Sequence, residues 1–237
     1  MPTMSPRERL ETLFARSEPD RTPILGGWIA CPDHICALTG ASLAEYWADP
    51  LRLSIRAYQI LGSDGLIDVF IPKHETDFRC VDASSYLHAR PELTLEAALA
   101  QIEAMPDAAE IEATFDFETE YAAFRAKLLE RQALCGEIVW MPAQWSGGAR
   151  VTWYGDFGYE NFFLIVGGYP EHAIKLMSVG GARGYNVGRL VAQAVQEGIY
   201  PHAILLGEDI CTQRGPMISP EFMERYYAPE LAHGLEP

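Results

Sequence analysis

Short apolar runs separated by helical stretches constrain this chain more than any other feature of its sequence. Residues 22–30, 66–71, 138–143 and 203–206 each read as a buried strand, and helix-forming patterns fill the intervals between them. Apolar strands spaced by helices imply parallel β/α units with helices covering the sheet. The sequence shows no internal repeat, low-complexity run or flexible linker, so the expectation is one domain.

The helix boundaries are legible from local chemistry. Ser5-Pro6-Arg7-Glu8 forms a capping box with proline in the first turn, followed by an apolar stripe of Leu10, Leu13 and Phe14. Ser42 and Glu45 form a second box, and Asp49-Pro50 starts a helix that runs to about Leu61 and ends at Gly62. Residues 79–89 read as a polar hairpin turning at Ser84-Ser85. Thr94 caps another helix, and residues 117–134 form a longer one stopped by Gly136. Residues 159–166 read as helical. Pro170 opens a long helix, expected to break at Gly180-Gly181, resume to Glu197 and end at Gly198. Ser219-Pro220-Glu221 opens the last one.

Composition narrows the function classes. Half of the 237 residues are hydrophobic (49%), which suits a globular protein with a sizeable core. With 33 Asp and Glu against 18 Lys and Arg, the formal charge is −15. That excess of anions argues against nucleic acid and against acidic membrane surfaces as partners. The most apolar stretch, residues 162–166, is far too short to cross a bilayer. No basic segment followed by an apolar one opens the chain, so a cytoplasmic location is expected. Five cysteines, an odd number, fit reduced thiols in that compartment.

In parallel β/α proteins ligands gather at the carboxyl ends of the strands. The first run is followed by Cys31, Asp33 and His34, and the second by Lys73, His74, Glu75 and Asp77. Gln144 and Trp145 follow the third, and Glu208, Asp209, Cys211, Thr212 and Gln213 the fourth. Polar and titratable side chains at all four exits suit a pocket for a polar small molecule, although loops are polar in any case. Glu208 and Asp209 are the sharpest candidates: adjacent carboxylates that could orient a substrate, accept a proton or hold a cation. Asp209 could instead cap a turn and pair with Arg214. Cys31, His34 and Cys36 carry zinc's preferred donors but lack a local fourth ligand; otherwise they are two small buried thiols and a loop imidazole. His74 with Glu75 reads as a general-base pair or as a surface loop. Trp145 before Gly147-Gly148 reads as an aromatic platform or as core packing. There is no phosphate-binding glycine loop, nucleophile elbow or HExxH motif.

Residues 207–222, Gly-Glu-Asp-Ile-Cys-Thr-Gln-Arg-Gly-Pro-Met-Ile-Ser-Pro-Glu-Phe, resemble a run of the uroporphyrinogen decarboxylase superfamily. That superfamily also contains methylcobamide:coenzyme M methyltransferases and related corrinoid-dependent methyltransferases. The opening Ser5-Pro-Arg-Glu-Arg-Leu with Glu18-Pro-Asp-Arg-Thr-Pro23 is similar to the family's first helix and strand entry. Residues 157–162 with Pro170-Glu171 resemble its middle section. The resemblance covers the whole chain and implies a TIM (β/α)8 barrel. With about four core strands in sight, it also implies that the chain is the amino-terminal part of a longer protein, its last strands missing.

Two departures bear on activity. The decarboxylases carry an arginine-rich segment after the first strand that grips substrate carboxylates, and residues 26–34 contain no arginine. They also place an aspartate at the end of the second strand, where this chain has Phe70-Ile71 and an earlier Asp68. The resemblance therefore implies a corrinoid-linked, methyltransferase-like enzyme. Uroporphyrinogen decarboxylase activity, or a fragment inactive by itself, are the alternatives. In the leading reading Glu208, Asp209 and His34 are catalytic, while Asp33, His74, Glu75, Gln144, Trp145 and Gln213 bind substrate. A methyltransferase-like member would use zinc, on a His-x-Cys motif and a later Cys beyond Pro237, with a corrinoid protein as partner. A decarboxylase would need no cofactor. Either is compatible with a homodimer.

Overall fold

The computed structural model describes residues 4–72, 93–143, 152–208 and 210–237. In chain order the first elements are α1 (Pro6–Phe14), β1 (Leu25–Gly26), α2 (Pro32–Thr39), α3 (Leu43–Ala48), α4 (Pro50–Ile60) and β2 (Gly65–Leu66). Then come α5 (Leu95–Glu103), α6 (Ala108–Ala113), α7 (Phe117–Cys135), β3 (Val139–Trp140), α8 (Tyr154–Phe157), α9 (Tyr159–Gly168) and α10 (Pro170–Gln196). A short hairpin, β4 (Cys211–Thr212) and β5 (Gly215–Pro216), leads into α11 (Pro220–Phe222), a π-helical turn (Met223–Tyr227) and α12 (Ala228–Gly234).

These elements form two compact units. The first holds described residues 4–72, 121–143 and 193–205, and the second holds 93–120, 152–192, 206–208 and 210–237.

The first unit is built on a parallel sheet in the order β1-β2-β3, with Leu25 opposite Gly65 and Gly65 opposite Val139. Its entry ends are held by a buried ion network. Asp64, fully buried just before β2, pairs with Arg9 Nη1 of α1 and with Arg21 Nη1 at 2.7 Å, and it accepts the Ile24 N–H at 2.9 Å. Arg9 also reaches Asp20 at 2.6 Å. The opposed carboxylates stabilise the Arg9 cation and push its pKa upward. One carboxylate thus ties α1, the approach to β1 and the start of β2 together. Alongside the sheet, α2, α3 and α4 enclose Ile35, Tyr46 and Ala57, all inaccessible to solvent.

The second unit has a larger apolar core. Ala98 and Ile102 of α5 meet Phe157 of α8, Phe162 and Ile165 of α9, and Ala173, Leu176, Met177 and Val179 of α10. The expected break in α10 at Gly180-Gly181 is absent. These glycines give α12 room instead: a Cβ on Gly181 would overlap Glu230, and one on Gly188 would come within 2.7 Å of the Gly234 carbonyl oxygen. Helix α12 therefore lies almost directly on the backbone of α10.

The barrel expectation is overturned. The structure is 60% helical, and its described residues contain a three-stranded parallel sheet, a two-stranded antiparallel hairpin and no closed barrel. Each strand is only two residues long. The run at 203–206, expected as a fourth core strand, carries no ladder among the described residues; Ile204 is 37% exposed and the chain turns tightly from Pro201 to Ala203. Apolar composition made that run resemble a strand, but burial on both faces, which a core strand requires, is missing. The expected hairpin at residues 79–89 lies outside the described residues. No helix among the described residues is long and apolar enough to cross a membrane.

Candidate functional site

The exit ends of the parallel strands in the first unit are shaped by Gly26-Gly27. A Cβ on Gly26 would come within 2.5 Å of the Tyr58 ring, and one on Gly27, whose φ is +151°, within 2.5 Å of Ile67. Glycine at position 26 leaves room for the Tyr58 ring of α4 against β1, with its hydroxyl at the exit loop, and glycine at 27 leaves room for Ile67. There the Ile29 N–H donates to Tyr58 Oη at 2.7 Å. Burial pushes the Tyr58 phenol up, as does the nearby charge of Asp68, while the Ile29 and Gly27 N–H groups oppose them. The exit of β3 is held in a similar way: buried Tyr200 donates its hydroxyl to the Pro142 carbonyl at 2.7 Å. Beyond these anchors Trp28 is 62% exposed, and Phe70 and Ile71 are exposed as well.

Asp33 and His34 do lie after β1, on the first turn of α2. That helix was read as a loop, but Pro32 in its first turn and Gly40 at its end, with φ +74°, are its start and stop signals. Ile35 turns inward, which leaves Asp33 and His34 on the exposed side of the helix. Cys31, His34 and Cys36 do not converge on a metal: among the described residues no three His, Cys, Asp or Glu side chains form a group that could hold one. Helical geometry explains this, because residues two apart are turned by about 200° and so face opposite sides. Burial raises the Cys36 thiol, as do the charges of Asp33 and Glu45, which disfavours the thiolate a zinc ion needs.

In the second unit Glu208 is partly buried and accepts the Thr152 N–H on Oε2 at 3.0 Å. The Tyr227 phenol is pushed up first by burial and then by the Glu208 charge. Next to Thr152, the fully buried Trp153 carries the Arg183 guanidinium 5.8 Å from its ring centre. A held carboxylate beside a phenol can fix a polar ligand group or exchange a proton with it. Gln213 sits exposed in the β4–β5 turn, where Thr212 Oγ1 donates to the Gly215 carbonyl at 3.1 Å. His74, Glu75, Gln144, Trp145 and Asp209 lie outside the described residues.

Asp33 and His34 belong to the first unit, Glu208 and Gln213 to the second. Sequence reasoning missed Tyr58, because a tyrosine at helical spacing reads as core until its hydroxyl is seen to meet a loop. The signal available for Tyr58 was Gly26-Gly27, two side chains' worth of room left beside a strand. Compared with protein-family models, curated proteins and solved structures, the chain has no significant match.

Proposed function

We propose that this chain belongs to an enzyme of the uroporphyrinogen decarboxylase superfamily, nearer its corrinoid-linked, methyltransferase-like members, acting on a small molecule. The observation that carries the reading is Glu208. The first member of the acidic pair in the family-like run 207–222 is held by the Thr152 N–H at 3.0 Å, with its charge felt at the Tyr227 phenol, rather than standing free in solvent. Its part is to orient substrate and to hold a proton at its carboxylate, with Asp209 beside it in sequence. Asp33 and His34 supply polar groups at the exit of β1. The zinc that a methyltransferase-like member would use finds no fitting ligand group among the described residues, so no step is routed through it.

The absence of arginine from residues 26–34 separates this reading from true decarboxylase activity, which must grip several carboxylates. Incubation with methylcobalamin and a thiol acceptor, and separately with uroporphyrinogen, tests both. Demethylation of the corrinoid, followed by its visible spectrum, is expected, with a loss of about 10²–10⁴-fold in Glu208→Gln. Efficient decarboxylation of uroporphyrinogen would overturn the choice of branch, and silence with both substrates would overturn the enzymatic reading.

A further inference from the structure

Near its carboxyl end, within the second unit, the chain places one imidazole between two carboxylates. His233 of α12 pairs through Nε2 with Glu112 of α6 at 2.8 Å and through Nδ1 with Glu236 at 3.1 Å. Its ring stacks on Tyr185 of α10, with centres 4.5 Å apart and planes 6° from parallel. A neutral imidazole has one N–H and can donate to only one of these carboxylates, leaving a lone pair against the other. The imidazolium donates to both and also gains from the face of the Tyr185 ring.

We propose that His233 is a pH-dependent latch, whose charged ring clasps α12 to α6 and α10 and whose neutral ring lets it go. Two features make α12 depend on such a clasp. Its contact with α10 runs along Gly181, Gly184 and Gly188, where the Glu230 side chain fills the space over Gly181 and the backbone of Gly234 lies against Gly184 and Gly188. Its other polar tie is Ser178 Oγ donating to Glu230 at 2.9 Å. The charges facing the ring are Glu112 from α6 and Glu236 from its own segment, with the neutral Tyr185 phenol from α10. Glu230 is turned to Ser178, while the α10 cations Arg183 and Arg189 lie over Trp153 and over Phe115 and Phe117.

Both carboxylates raise the His233 pKa above that of an ordinary histidine, and burial opposes them only in part. The latch is therefore fully closed below the unfolded-state value and opens as pH rises through the folded-state one. Because Tyr227 immediately precedes α12 and feels the Glu208 charge, release would also loosen the surroundings of that carboxylate. This last consequence rests on the function proposed above; the latch itself does not.

Hydrogen–deuterium exchange of the whole protein, corrected for intrinsic rates, from about pH 6 to about pH 9 tests the latch without reference to activity. Protection of residues 220–237 is expected to fall severalfold across the range while that of α9 holds. In His233→Gln the step disappears and protection is low throughout; in Glu112→Gln the step shrinks and moves to lower pH. A step that survives in His233→Gln, or its absence from the wild type, overturns the proposal. Should His233→Gln fail to fold, titration of the His233 ring by NMR in wild type and Glu112→Gln decides: equal midpoints overturn it.

Discussion

The two ends of the parallel sheet in the first unit solve the same problem with opposite chemistry. At the entry end the polar groups are charged, buried and fully committed. Arg9 and Asp64 are sealed from solvent, and Asp64 meets two arginines and a backbone N–H. At the exit end the buried anchors are neutral phenols, Tyr58 and Tyr200, while the polar side chains of Asp33 and His34, like Trp28, are exposed. Charges that hold a fold must be paired where water is absent, whereas charges left in water stay available to a ligand. The difference places buried charge at the entry and, among the described residues, exposed polar groups at the exit of β1.

The largest expected effect comes from breaking the entry end. Asp64→Ala would leave the buried Arg9 guanidinium with Asp20 as its one remaining carboxylate partner beside the Met4 carbonyl, and would strip the Ile24 N–H of its acceptor. Loss of one partner from a buried pair costs about 3–5 kcal/mol, so denaturant unfolding should show a fall of that order in stability. If Asp64→Ala unfolds within about 1 kcal/mol of the wild type, the network is ornamental and the contrast between the two ends fails.

Next in size is the neutral anchor of the exit end. Tyr58→Phe keeps the ring against Gly26 but leaves the Ile29 N–H without its acceptor. An unsatisfied buried donor costs about 1–3 kcal/mol, which a shift in the urea midpoint at unchanged slope would register. A cost as large as that of Asp64→Ala would mean that the exit loop is held as rigidly as the entry.

Much of this was legible in the sequence where the interaction is local. Both capping boxes form as read: the Glu8 N–H donates to Ser5 Oγ at 3.3 Å, and the Glu45 N–H to Ser42 Oγ at 3.3 Å. Gly62, Gly136 and Gly198 end helices with positive φ, as their positions predicted. What could not be read was contact at long range. Gly180-Gly181 has the local signature of a helix break, and only the approach of Glu230 and Gly234 to the same helix shows it to be a packing surface. Pro32 and Gly40 bracket a helix as plainly as the capping boxes do, although the sequence reading places His34 in a loop. The apolar run at 203–206 has the composition of a barrel strand, but strands pair through partners that a one-dimensional pattern does not name. For the site, the legible part was position: Asp33 and His34 do follow a parallel strand and Glu208 is held. The Tyr58 hydroxyl was illegible because its partner lies 29 residues away.

The smallest effect on stability is expected where the functional interest of the first unit is greatest. Asp33 and His34 are exposed on the first turn of α2, and the backbone of that turn is set by Pro32 and by the burial of Ile35 rather than by their side chains. The double variant Asp33→Asn with His34→Gln removes one negative charge and one titrating group while keeping size and hydrogen-bonding capacity. Surface substitutions of this kind stay within about 0.5 kcal/mol, because neither side chain carries a buried contact whose loss would be felt. Thermal and denaturant unfolding should therefore leave the double variant close to wild type. Any turnover of methylcobalamin should fall in it, since a ligand at the exit of β1 would meet these two side chains. The outcome that breaks the comparison is the reverse: a variant clearly destabilised yet fully active. Asp33 and His34 would then serve the fold as Arg9 and Asp64 do, and the two ends of the sheet would no longer differ in kind.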